Sequence, residues 1–171
     1  MVLVDNDSKI LSDDEMEFLV EKCNNFILDE SPVINKDYTN FYFRQFLDLK
    51  DHVINNIGMG LESYIKAKFY TNLELKSIWI NKIDVNSNKN DKFHTDVSPA
   101  SLILYLNDDY SGGELEYINE AAGKSKIIPQ KNLIITMNNR LQHRVLPISN
   151  GVRYSLVAFF GFIKKETKSI I

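Results

Sequence analysis

Several things are scarce in this sequence, and each shortage excludes something. Among its 171 residues there is one cysteine, Cys23. No intrachain disulfide can form, which favours a reducing compartment. No apolar run reaches the length needed to cross a bilayer, and the first residues, Met1 to Lys9, lack a basic-then-apolar signal pattern. The expectation is a cytoplasmic protein with no membrane partner. Charge of one sign is not in excess either: the formal net charge is -3. Nothing therefore advertises general affinity for nucleic acid or anionic lipid, although a local patch could still hold a nucleic-acid substrate. Internal repeats, low-complexity tracts and linkers are absent. What remains, 44% hydrophobic and 25% charged residues in 171, suits one globular domain spanning 1–171 with a real core.

Two helices are expected in the first part. Ser12-Asp13-Asp14-Glu15 is a capping box, and Met16, Leu19, Val20, Cys23 and Ile27 follow at helical spacing to about Asp29. Cys23 lies on that stripe and reads as a small buried hydrophobe rather than a reactive thiol. Ser31-Pro32 ends the region. Residues 33–47 are irregular and aromatic-rich (Tyr38, Phe41, Tyr42, Phe43, Phe46), with packing preferred over a substrate groove. Asp48 to Phe69 reads as a second helix, weakened by Gly58 and Gly60, which mark a kink. It carries His52, a surface histidine to which no role is assigned.

From Leu73 the period changes from helix to strand. Leu75, Ser77, Trp79, Asn81 and Ile83 alternate with Lys76, Ile78, Ile80 and Lys82. Asp84 to Asp91 is a polar loop. Strands are expected at Ala100–Leu106, Glu114–Ile118, Ser125–Ile128, Asn132–Met137, His143–Leu146 and Gly151–Ile163, with a turn over Asn107–Gly113 and a further short strand at Val2–Val4. Many short strands behind two helices predict a mainly β fold with flanking helices. This is a jelly-roll or double-stranded β-helix core (73–163) buttressed by a helical N-terminal part (1–72).

The stretch around which the chemistry gathers is Lys92-Phe93-His94-Thr95-Asp96-Val97. On a strand, residues two apart share a face, so His94 and Asp96 converge. They are two-thirds of a 2-His-1-carboxylate triad, the donor set that holds non-haem Fe(II) and leaves positions open. The chain has three histidines, and His143 is the candidate third ligand. Ten residues on, from 143 to 153, comes Arg153, with Ser155 on the same strand face. A strand arginine near a metal can clamp a carboxylate through two parallel hydrogen bonds. Its alternative partner is a neighbouring acid such as Asp84. Arg144 has the opposite parity to His143 and is a substrate contact or surface. Asn138 and Asn139 read as turn residues.

H-x-D, a histidine 47 residues later (96 to 143) and R-x-S ten beyond it resemble the Fe(II)/2-oxoglutarate-dependent dioxygenases. Among these the pattern is most similar to the prolyl 4-hydroxylase-like branch. Leu104-Tyr105-Leu106-Asn107 and Ser111-Gly112-Gly113-Glu114-Leu115 strengthen the resemblance, which covers about residues 75 to 162. It implies His94, Asp96 and His143 as catalytic metal ligands, and Arg153, Ser155 and Tyr105 as binders of the co-substrate's distal carboxylate. Fe(II), 2-oxoglutarate and O2 are the implied cofactors, with ascorbate as a reductant. The implied reaction is hydroxylation of a C–H bond, most simply of an amino-acid side chain in a peptide or protein, with proline the first expectation. A free amino acid or a nucleobase is the alternative substrate. The rival from another class is a non-catalytic, cupin-like module binding a metal or small molecule, or a Zn(II) or Ni(II) protein without oxidation. The chain departs from the resemblance near Ile83 and Asp84, where relatives carry a tyrosine. The asparagine- and lysine-rich loop before His94 also weighs against a prolyl peptide. Asp96 weighs against a halogenase, which needs that position vacant for halide.

Overall fold

A computed structural model describes residues 1–25, 33–34, 39–42, 56–69, 72–87 and 92–163. The order is β1 (Val2–Asp5), α1 (Asp13–Asn24), β2 (Val33–Ile34), β3 (Thr39–Tyr42), α2 (Gly58–Phe69), β4 (Leu73–Asp84) and β5 (Ala100–Tyr105). It continues through β6 (Ser111–Gly112), β7 (Leu115–Asn119), β8 (Gly123–Ile127), β9 (Ile134–Asn138), β10 (His143–Val145), β11 (Ile148–Asn150) and β12 (Val152–Phe162). The fold is mainly β: a double-stranded β-helix with two helices on its outer side.

The large sheet has seven strands in the order β1-β9-β5-β12-β4-β3-β2. Its long central strand β12 pairs antiparallel with β4 on one side and β5 on the other. Opposite lie a three-stranded sheet, β10-β7-β8, and a two-stranded one, β11-β6. Because side chains alternate along a strand, β12 serves two cores. Tyr154, Leu156, Ala158 and Phe160 pack outward with Leu102 and Leu104 of β5, against Met16, Leu19 and Cys23 of α1 and Leu61 and Ile65 of α2. Each such side chain contributes about 1.5–3 kcal/mol by leaving water. Arg153, Ser155, Val157 and Phe159 point the other way, into the space between the sheets. There Tyr105, Ile135 and Met137 of the large sheet meet Leu115 and Ile127 of the small one.

The helices begin for local reasons. The Ser12 hydroxyl accepts from the Glu15 amide at 3.2 Å, and the Glu15 carboxylate accepts from the Ser12 amide at 2.8 Å, so the capping box satisfies two donors that a helix start leaves orphaned. At α2, Asn56 and Ile57 are in a wider π turn and Gly58 opens the α-helical part, which is where the glycine-weakened kink was expected. The expected helical residues 26–29 and 48–55, with His52, and the aromatics Tyr38, Phe43 and Phe46, lie outside the described residues.

Four departures from the sequence pattern have physical causes. Residues 92–97 are not a strand: only His94 forms a bridge, with His143. Within the expected turn, Ser111 and Gly112 pair with β11, two residues being too short a run for periodicity to reveal. The 33–47 stretch contains β2 and β3, which extend the sheet from β4. Leu75 does not share the inward face of Trp79, Asn81 and Ile83. A bulge in the β12–β4 register (Phe159 opposite Ser77, Phe160 opposite Leu75) passes over Lys76, and one inserted residue reverses the faces beyond it. Leu75 therefore packs with the helix-side core.

Candidate active site

Three segments bring the H-x-D pair and the distant histidine together. His94 and His143 are paired through their backbones, the His94 amide donating to the His143 carbonyl at 3.0 Å and the His143 amide to the His94 carbonyl at 2.9 Å. This pins two residues 49 positions apart (94 to 143), and their rings lie 4.5 Å apart, centroid to centroid. One ligand atom from each of His94, Asp96 and His143 falls within 4.8 Å of the others, and His143 Nε2 is 3.9 Å from Asp96 Oδ1. His143 is buried, Asp96 half-buried and His94 exposed. The cluster therefore has one protected wall and one open side.

The surrounding groups orient the donors. His94 Nδ1 lies 3.0 Å from the Lys92 carbonyl, and His143 Nδ1 lies 3.1 Å from the Leu141 carbonyl. A carbonyl only accepts, so this pattern assigns the proton to Nδ1 in both rings and leaves the Nε2 lone pairs for a metal. Ser101 of β5 donates its hydroxyl to Asp96 Oδ2. That leaves Oδ1 turned towards His143. Two imidazoles and one carboxylate are the donor set that suits Fe(II) and leaves part of its coordination sphere open.

A cavity of about 520 Å3 runs from this cluster between the sheets, past Trp79, Asn81, Val157 and Ser155 to Arg153. Arg153 is 3% exposed. Its Nη1 donates to the Gly113 carbonyl, 3.0 Å away, and no described carboxylate lies within ion-pairing distance of it. Asp84, the alternative partner considered above, is engaged by the Asn86 amide at 2.8 Å and the Ser87 hydroxyl at 2.9 Å. Arg153 Nε, Ser155 Oγ and Tyr105 Oη are all buried with no hydrogen-bond partner among the described residues. Ser155 sits directly opposite Tyr105 in register, and the guanidinium lies 5.8 Å from the Tyr105 ring centre. Burial pushes the Tyr105 phenol up, only partly offset by the Arg153 charge, so it stays protonated and able to donate. A cation with hydroxyl donors and no internal anion fits a carboxylate supplied from outside.

The glycine pair of the Ser111–Leu115 motif explains how Arg153 is received. Gly112 and Gly113 have φ of +83° and +73°, the left-handed region that glycine enters without strain. A Cβ on Gly112 would stand 2.4 Å from the Pro147 carbonyl oxygen.

Arg144, left between substrate contact and surface by its parity, is held in an ion pair. Its Nε donates to Glu116 Oε2 at 2.7 Å, and its guanidinium lies 4.7 Å from the Phe93 ring centre. Asn138 is the last residue of β9 rather than a turn residue, its side chain accepting from the Arg140 amide at 3.2 Å, while Asn139 lies in the turn. Three groups escaped the sequence reading: Ser101, Tyr110 and the pair Asn40–Asn81. Asn81 Nδ2 donates to Asn40 Oδ1 at 2.9 Å, while Asn81 Oδ1 is buried without a partner. Its signal was in plain view, a polar residue at an inward position between Trp79 and Ile83.

Compared with known families, residues 80–161 match the model of the 2OG-Fe(II) oxygenase superfamily. Over those residues, just under half of the chain, it is similar to that superfamily. Among solved structures it is similar to the viral collagen prolyl hydroxylase of Paramecium Bursaria Chlorella virus-1 in its 2OG complex. The two share 16% identity and a TM-score of 0.70, over 95% of this chain and 96% of that one. A Pseudomonas putida prolyl-4-hydroxylase matches at 16% identity and a TM-score of 0.59, over 95% and 93%. The alpha ketoglutarate dependent epimerase SnoN from nogalamycin biosynthesis matches at 10% identity and a TM-score of 0.72, over 94% and 78%. At such identities the likeness is one of fold, and a hydroxylase and an epimerase share it. Among curated proteins none matches the chain. No described helix of the chain is long and apolar enough to cross a membrane.

Proposed function

We propose that this protein is an oxygenase of that superfamily: it holds Fe(II) with His94, Asp96 and His143, takes 2-oxoglutarate with Arg153, Ser155 and Tyr105, and uses O2 to hydroxylate a C–H bond of an amino-acid side chain in a peptide or protein. Prolyl residues are the first candidates. The observation that carries this reading is the buried Arg153. A buried charge with no counter-ion among the described residues is costly, and a co-substrate carboxylate would remove that cost. A metal site without a co-substrate has no use for such a clamp.

Bound there, Fe(II) would activate O2, the oxidant for C–H hydroxylation, with 2-oxoglutarate supplying two of the four electrons and leaving as succinate and CO2. The chain's own work is positional. Lys92 O and Leu141 O fix the ring protons on Nδ1, Ser101 fixes the carboxylate, and Arg153 at the far end of the cavity sets the co-substrate's direction. Trp79 and Phe159, stacked 4.9 Å apart, give the cavity an apolar aromatic wall on which a small ring can lie. Beside them the Asn40–Asn81 pair offers amide donors and acceptors to a peptide group.

The test is anaerobic addition of Fe(II) and 2-oxoglutarate, followed by visible absorption. A weak charge-transfer band that needs both components, and that is lost in His143→Ala protein, is the expected result. Folded wild-type protein that binds Fe(II) but gives no band with 2-oxoglutarate would return the site to the binding-module reading. With the site established, succinate release in the presence of prolyl peptides, free amino acids or nucleobases identifies the substrate.

A further inference from the structure

Tyr110 is a half-buried side chain near Arg153 for which neither the family resemblance nor the reaction above has a use. Its hydroxyl is buried and has no hydrogen-bond partner, which is a costly way to place a phenol. The chain makes room for it with two glycines in left-handed conformations. A Cβ on Gly151 (φ +78°) would lie 2.9 Å from Tyr110 Cβ and 2.7 Å from the Asp109 carbonyl oxygen. A Cβ on Gly113 (φ +73°) would lie 3.5 Å from Tyr110 Cε2 and 3.4 Å from Arg153 Cδ. The Tyr110 ring and the Arg153 stem therefore pack on the same glycine, whose carbonyl already takes Arg153 Nη1. Arg153 Nε, the donor on that same stem, also lacks a partner. Burial pushes the Tyr110 phenol up, with the Arg153 charge opposing it and Tyr105 adding to it. The fields of the three groups overlap, and the phenol stays protonated.

We infer that Tyr110 is a positioning residue for the co-substrate clamp: when a distal carboxylate is bound, its hydroxyl oxygen, unpartnered in the free protein, receives Arg153 Nε and fixes the plane of the guanidinium presented to that carboxylate. Gly113 O already holds one side of the fork, and Tyr110 then takes the other. An arginine fork loses most of its advantage if its plane is free to turn. The inference rests on the proposed co-substrate site and deepens it. It predicts an effect on ligands that carry a distal carboxylate and none on those that lack it.

The experiment is calorimetric titration of Fe(II)-loaded, anaerobic wild-type and Tyr110→Phe protein with two ligands. One is 2-oxoglutarate. The other is 2-oxopentanoate, which has the same chain length and the same metal-chelating end but no distal carboxylate. Tyr110→Phe is expected to weaken 2-oxoglutarate about tenfold and leave 2-oxopentanoate unchanged, so that the selectivity for the diacid falls about tenfold. Equal weakening of both ligands, no change in either, or a melting temperature several degrees below wild type would each overturn the inference by making the hydroxyl structural or idle. Failure of the wild type to prefer 2-oxoglutarate to 2-oxopentanoate would instead strike the co-substrate site itself, and the two failures are told apart in the same titrations.

Discussion

Two buried charges in this molecule are treated in opposite ways. Asp5, at the end of β1, is 8% exposed and surrounded by donors from its own chain. It accepts from the Asp7 and Ser8 amides at 3.0 Å, the Ser8 hydroxyl at 2.9 Å, the Tyr64 hydroxyl at 3.0 Å and Lys68 Nζ at 2.9 Å. Arg153 is buried still more deeply, yet has one carbonyl and no anion among the described residues. The first arrangement ties β1 to α2 and serves stability, because a buried charge with every lone pair used can be held at little cost. The second leaves a charge that the proposed co-substrate carboxylate would satisfy. Polar satisfaction thus separates a structural charge from a binding one more sharply than burial does.

The largest effect should come from breaking the unsatisfied member. Arg153→Met keeps most of the volume and removes the charge. The expected outcome is a 2-oxoglutarate affinity about a hundredfold lower, since a desolvated charge pair is worth ~2–5 kcal/mol, with Fe(II) affinity little changed. Calorimetry and metal titration measure the two separately. Unusually for a core substitution, melting temperature should hold or rise, because the buried cation had no counter-ion.

Asp5→Asn should do the reverse, leaving co-substrate binding alone and lowering stability by about 2 kcal/mol. The pH dependence follows from the direction of its shift. Burial alone would raise the Asp5 pKa, but Lys68, Ser8 and Tyr64 together hold it well below the usual carboxylate range. The folded state therefore prefers the ionised form. Its contribution is present in full above the unfolded carboxylate value of ~3.9 and is lost as pH falls from there towards the folded one. Urea titrations at pH 7 and pH 3 should show wild type and Asp5→Asn converging at the acid end. A gap as wide at pH 3 would refute this account of Asp5.

How far the sequence discloses this contrast depends on the range of the interactions. Periodicity places β4, β5, β9 and β12, because their alternation extends over five residues or more and each alternation answers to a core on each side. It also places Tyr105 and Ser101 on one face of β5 and Arg153 and Ser155 on one face of β12. The H-x-D spacing brings His94 and Asp96 forward for a reason the structure does not keep. The segment is held by a single bridge to His143 rather than by strand geometry, and the convergence is tertiary. The Asp5 knot was illegible. Its main partners, Tyr64 and Lys68, lie 59 and more residues away in the chain, and no local pattern announces such a contact. The inward reversal at Leu75 was hidden for the same reason, since a bulge belongs to a pairing and not to a strand. Tyr110 was hidden because the turn that carries it is defined by glycines in contact with a distant segment.

The comparison can be sharpened on two serines that share the cavity. Ser101 of β5 already gives its hydroxyl to Asp96, while Ser155 of β12 gives its hydroxyl to nothing among the described residues. If satisfaction marks the structural partner, Ser101 acts on the metal end by holding a ligand in place, and Ser155 acts on the co-substrate end. Ser101→Ala should then lower Fe(II) affinity about tenfold, the low end for a group that orients a ligand. The 2-oxoglutarate affinity of the metal-saturated protein should be unchanged. Ser155→Ala should keep Fe(II) affinity and weaken 2-oxoglutarate by a similar factor, because it removes one donor to a carboxylate. Metal and co-substrate titrations of both variants form a two-by-two comparison. Its off-diagonal members should stay at wild-type values, and a Ser155→Ala protein that lost metal and co-substrate alike would mean that the two ends of the cavity are not separable.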